Sequence, residues 1–156
     1  MSRKVLDIDF CITAEEAPDD IKTKLLALPN SPFKQLPPLF LYMDGPHLIQ
    51  INIFNVTQLP YLPSAATIVG ATPSGFIPYI SLTDLVVFKI SACGLRPDDG
   101  KKQRHATDAY HLLNMHQQAL QLSTEQKAHI EPALWGVIIN LTKKTDKVWW
   151  NTKLGL

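Results

Sequence analysis

The stretch from Ser81 to Leu113 constrains this chain more than any other, because it reads as two helices joined by a basic turn that also holds helix breakers. A hydroxyl at Ser81 or Thr83 accepts from the free N–H groups of a first helical turn. Gly94 and Pro97 mark the end of that helix. At 100° steps the helix is apolar on nearly all sides, so it belongs in a core. Asp84 and Ser91 share one narrow polar stripe, the expected solvent edge. Lys89 and Arg96 lie opposite, in line with Leu82, Leu85, Val86 and Cys93. A cation on an apolar face needs a partner or a ligand, since burying it alone is very costly. The second helix offers an apolar arc through Ala109, Leu112, Leu113, Met115 and Leu120, with Asp108 at its edge. Two readings stand: Lys89 and Arg96 pair with Asp108 to lock the helices, or Lys89 meets an anion.

A chain of 156 residues suits a single domain, 1–156, with a sheet-containing part to residue 80 and a helical half from residue 81. Hydrophobic residues at 46% against 19% charged are the proportions of a folded globular protein. A net charge of +1 provides no global field toward nucleic acid or a membrane. No apolar run approaches the roughly 20 residues of a membrane span. Cys11 and Cys93 make neither metal spacing nor a disulfide framework. Both are expected as small core residues of a reducing, cytoplasmic compartment. Charges at Arg3, Lys4, Asp7 and Asp9 interrupt any signal-peptide pattern.

Lys4 to Ile12 alternates as a strand, with Val5, Asp7, Asp9 and Cys11 on one face and Leu6, Ile8, Phe10 and Ile12 on the other. Two carboxylates two residues apart on one face repel unless something neutralises them. A Mg²⁺ ion held by hard oxygens does so; an acidic edge open to water is the simpler alternative.

A helix is expected over 14–28, started by Asp19 and Asp20 and striped by Ile21, Leu25 and Leu28. Prolines at 29, 32, 37 and 38 predict a loop from Asn30 to Pro38. Leu39–Met43, the Asp44-Gly45 turn and His47–Phe54 read as a β-hairpin. Thr67–Val69 and Gly75–Ile80 are expected as short strands. Ser123-Thr124-Glu125-Gln126 is a capping box, and Pro132 predicts a break near Glu131. The tail joins Trp149 and Trp150 to Lys143, Lys144, Lys147 and Lys153, as an amphipathic terminus docked on the domain or a stacking surface for nucleic acid. His105 and His116 fall on the apolar arc of the second helix as core or boundary residues. The fold class that follows is α+β: a small mixed sheet, then a helical C-terminal half.

Arg3-Lys4-Val5-Leu6-Asp7-Ile8-Asp9 resembles the Arg-x-Thr-x-Asp-Ile-Asp element of the nucleotidyltransferase superfamily, as in its abortive-infection toxin and aminoglycoside nucleotidyltransferase branches, with Val5 where Thr is usual. Leu82-Thr83-Asp84-Leu85, Phe88-Lys89, Arg96, Lys102 and Asp108-Ala109 resemble the same superfamily's downstream helices. The likeness spans Arg3 to Leu113. It implies that Asp7 and Asp9 hold Mg²⁺ and the triphosphate of an NTP, and that Lys89, Arg96 and Lys102 contact nucleotide. It also implies that Asp108 locks the helices or acts as a base near the acceptor, and that the reaction is in-line nucleotidyl transfer.

Two departures weaken that chemistry. The superfamily's Gly-Ser or Gly-Gly turn ahead of the Asp-x-Asp strand has no counterpart in this sequence, and such turns grip phosphate through their backbone. The third carboxylate belongs on the strand beside Asp7 and Asp9, for which His47–Phe54 is the candidate, and its polar face offers Gln50 and Asn52 instead. A neutral amide ligates through its carbonyl but adds no charge and is a poor base. The expectation is therefore a catalytically impaired nucleotidyltransferase-like module that binds a nucleotide or a protein partner. The alternative is an active Mg²⁺-dependent nucleotidyltransferase moving NMP from an NTP to a hydroxyl or phosphate acceptor, completed by a partner chain that supplies the missing helix. A third option is that the chain is a fragment of a longer product that holds the missing motif. An apolar surface left where the missing helix packs also makes self-association an expectation.

Overall fold

A computed structural model of the chain describes residues 7–13, 15–63, 67–74, 76, 80–143 and 145–156. Arg3, Lys4, Val5, Leu6 and Lys144, which the sequence reading used, lie outside the described residues, as do most of the positions in the strand expected over 75–80. The fold is α+β, with a four-stranded mixed sheet followed by helices. The chain divides into two compact units, Met1–Leu59 and Pro60–Leu156.

The first unit contains β1 (Asp7–Ile12), α1 (Pro18–Leu26), β2 (Phe33–Leu36), β3 (Leu39–Asp44) and β4 (His47–Asn55). Strand order is β1-β4-β3-β2. β1 runs parallel to β4, while the β2–β3 and β3–β4 pairs are antiparallel. Gly45, at φ 55°, makes the tight turn between β3 and β4 that Asp44-Gly45 predicts. On one face Phe40, Ile51 and Ile53 are buried, with Ile21 and Leu25 of α1 packed against them. β2 corrects the loop expected over 30–38. Its four residues fit between Pro32 and Pro37, so no proline sits inside the strand, and an edge strand tolerates prolines at its flanks.

The second unit contains α2 (Leu82–Leu95), α3 (Asp99–Met115), α4 (Thr124–Asn140) and α5 (Lys147–Leu154). Ser81 caps α2 by accepting from the Asp84 N–H, and Asp98 caps α3 through the Lys101 N–H. Val86, Val87, Ile90 and Cys93 of α2 are 0–1% exposed, as a helix apolar on nearly all sides requires. Each buried aliphatic side chain contributes about 1.5–3 kcal/mol. Gly94 lets α4 come close: a Cβ there would sit 3.4 Å from the Ala133 Cβ. The tail docks. Trp150 and Leu154 are fully buried, Trp149 packs on Tyr110, and the Lys153 carbonyl accepts from the Leu120 N–H.

Four further expectations are corrected here. α4 runs unbroken through Pro132. Ile130, Leu134 and Val137 anchor it in the core on both sides of the proline, whose missing N–H falls on the exposed face. Thr67–Val69 is not a strand; Val69–Ala71 forms a single 3-10 turn. Cys11 is exposed rather than core, because its face of β1 is open. Met115, placed on the apolar arc of α3, is 82% exposed at the helix end.

Candidate functional site

β4 is the strand that pairs with β1, and its register sets the site. Asp7 lies opposite Gln50 and Asp9 opposite Asn52. Partners in register point to the same face, so two carboxylates and two amides share one surface of the sheet. The Asn52 amide nitrogen donates to Asp9 Oδ1 at 2.7 Å and to Asp7 Oδ2 at 3.3 Å. Its carbonyl oxygen accepts from Gln50 Nε2 at 2.9 Å. One neutral amide thus bridges two anions and is itself held by a second amide. Asp7 and Asp9 are exposed; Gln50 and Asn52 are half-buried.

As a metal site the donor set is partial. Asp7 and Asp9 are hard oxygen ligands suited to Mg²⁺. Asn52 could add its carbonyl only by turning over, which would place the Gln50 amide against an N–H₂ group. Among the described residues no group of three or more His, Cys, Asp or Glu side chains could hold a metal ion. Two carboxylates make part of the oxygen shell that Mg²⁺ takes, and a smaller part of what a pair of metals needs.

The other predicted residues belong to the second unit. Lys89 Nζ stands 3.0 Å from Asp108 Oδ2, and both side chains are about a quarter exposed (24% and 22%). This is the helix-locking pair that the placement of Lys89 on an apolar face anticipates. Arg96 is the C-cap residue of α2 and is exposed. Lys102 pairs with Asp99 one turn away at 2.9 Å. His105 lies one turn before Asp108, and its Nδ1 is buried with no hydrogen-bond partner among the described residues. Burial, reinforced by the nearby Lys89 and Arg96 charges, holds His105 down to about 4, against a smaller opposing pull from Asp108. Burial pushes the Cys93 thiol up, with Lys102 opposing.

Asp84 departs most from its expected place. It is 1% exposed, and Ser91 is 6% exposed, so the polar stripe of α2 faces α4 rather than solvent. Asp84 Oδ1 accepts from Tyr61 Oη at 2.7 Å and from Gln126 Nε2 at 2.9 Å, while Oδ2 accepts from Ser81 Oγ at 2.9 Å. Gln126 also accepts from the Ser123 N–H as part of its capping box. Sequence reasoning identified that box but not the second use of its glutamine. The available signal was Ser81-x-x-Asp84, the spacing of a cap with an acidic return partner.

No family model, curated protein or solved structure matches this chain. Among the described residues no helix is long and apolar enough to cross a membrane.

Proposed function

We propose that the first unit is a nucleotidyltransferase-like module that binds a nucleotide, or a protein partner in its place, without turning it over. One observation carries this reading: the strand beside Asp7 and Asp9 presents Asn52, which bridges both carboxylates with its N–H₂ group, where catalysis needs a third anion. A bound Mg²⁺ would supply charge neutralisation for a triphosphate, held by Asp7 and Asp9. Asn52 donates a hydrogen bond and takes no proton, so the chain has no base at that position to activate an attacking hydroxyl. Lys89 and Lys102, expected to contact nucleotide, pair instead with Asp108 and Asp99 within the second unit, and with Arg96 they are left out of this reading of the first unit.

The active enzyme is the second reading, favoured by the exposure of both Asp7 and Asp9 on one sheet face. Calorimetric titration of ATP, GTP, CTP and UTP, with and without Mg²⁺, separates the readings when repeated on Asp7→Ala/Asp9→Ala. The proposal expects Mg²⁺-dependent heat that the double variant loses, with no pyrophosphate released during prolonged incubation. Pyrophosphate release lost in the same variant establishes the enzyme. Absence of heat with all four nucleotides removes nucleotide from the proposal.

A further inference from the structure

We infer that the free edge of β1 pairs with β1 of a second copy of this chain, antiparallel and centred on Phe10, to join two sheets across a two-fold axis. The inference does not depend on nucleotide binding. β1 ends the strand order, with β4 on one side and no strand among the described residues on the other. Asp7 through Cys11 are all exposed, including Ile8 at 40% and Phe10 at 36%. A strand edge of this kind offers a row of unpaired backbone N–H and C=O groups and is a template for another strand.

The residues say which strand. A two-fold axis normal to the sheet pairs only residues of like parity, and the patch must complement itself. Centred on Phe10, Ile8 meets the partner's Ile12 and Phe10 meets the partner's Phe10, an unbroken apolar ladder on one face. On the other face Asp9 meets the partner's Cys11, and Asp7 comes level with the partner's Thr13, the residue just past the end of the strand. Each carboxylate then lies across from a thiol or hydroxyl donor, and none lies across from another carboxylate. The neighbouring registers fail this test. Shifted one way, Asp9 opposes Asp9 of the second copy; shifted the other way, only Phe10, Cys11 and Ile12 of the strand overlap, because β1 ends at Ile12. The sequence around Phe10 is thus self-complementary in one register, which a foreign strand has no reason to match.

Position 11 tests the pairing without disturbing the fold, since its side chain is exposed and its thiol donates only a 3.9 Å contact to the adjacent Ile12 carbonyl. Sedimentation velocity is run on the full chain with reductant and without nucleotide, from about 1 to 200 μM, on wild type, Cys11→Lys and Cys11→Asp. Each dimer contains two copies of the 9–11 pair, so the expected result is a reversible dimer that Cys11→Lys tightens and Cys11→Asp loosens. Their dissociation constants should differ by about tenfold or more. Far-ultraviolet circular dichroism and melting temperature confirm that both variants fold as wild type does. A chain that stays monomeric throughout overturns the inference. So does a dimer with the same constant in both variants, which places the interface elsewhere, or one that Cys11→Asp tightens.

Discussion

Asp9 and Asp84 each accept a hydrogen bond from a side-chain amide, Asn52 at 2.7 Å and Gln126 at 2.9 Å, yet their surroundings are opposite. Asp84 is sealed among donors from Tyr61, Ser81 and Gln126 that come from three parts of the second unit. A carboxylate in that position holds structure together, because three side-chain donors from separate parts of the unit converge on it. Asp9 and its neighbour Asp7 face water on an edge strand and share a single neutral amide between two charges. Both are exposed, and their one side-chain tie among the hydrogen bonds of the sheet is to Asn52. A carboxylate pair that the fold does not need is available to a ligand, and that contrast, more than the Asp-x-Asp spacing, locates the candidate site.

The contrast breaks first at Asp84. Asp84→Ala removes the shared acceptor of the Tyr61 hydroxyl, the Gln126 amide and the Ser81 hydroxyl, leaving the Gln126 amide only its longer 3.2 Å bond to Tyr61 Oη, and should cost about 2–3 kcal/mol. Asp84→Asn keeps the shape but turns an N–H₂ group toward donors, so it should cost nearly as much. Urea denaturation of both variants measures this. A loss under 1 kcal/mol in either would mean the network is dispensable and Asp84 as free for other work as Asp9.

Much of this arrangement was legible in the residues. Ser81 and Pro97 bounded α2 while Gly94, expected at its end, lies inside it, Asp44-Gly45 located the hairpin, and the odd position of Lys89 anticipated its pair with Asp108. The pairing of β1 with the strand at His47–Phe54 came from the family resemblance rather than from alternation, and β1 does run beside β4. What the residues did not show is what packs against a stripe. A helical wheel places Asp84 and Ser91 on one side of α2 but is silent on whether water or α4 lies there, and Gln126 lies 42 residues away in sequence. For the same reason Cys11 looked like a core residue: alternation assigns a face, and only the layer above it decides burial. Pro132 was misread because a local rule about broken helices yields to core contacts on both sides.

The second unit has its own intermediate case in His105, whose imidazole is kept neutral beside Lys89 and Arg96. Its value of about 4 in the folded chain lies below the ordinary 6.5, so the unfolded chain takes up the proton first. The stability it contributes is complete above pH 6.5 and is lost as pH falls from there toward 4. Allowing for solvent screening at a partly exposed group, the loss should be about 1–2 kcal/mol. His105→Gln should flatten that part of the stability curve, read from urea midpoints between pH 7.5 and 4.5 at constant ionic strength. A wild-type curve no steeper than that of the variant would show that the ring is well solvated and not part of the seam between α2 and α3.

The smallest effect is expected where the candidate site is. Asp7→Asn/Asp9→Asn removes two like charges from one strand face while leaving Asn52 an oxygen acceptor at each position. Stability should change by no more than about 0.5 kcal/mol, in the stabilising direction at low salt, where the repulsion is least screened. Raising the salt to about 1 M should erase even that difference. A loss above about 1.5 kcal/mol would instead make the bridged carboxylates a structural clasp between β1 and β4, equivalent to Asp84 in kind. The sheet would then have no polar group to spare for a ligand, and any nucleotide binding lost in a carboxylate variant would have to be read as loss of fold.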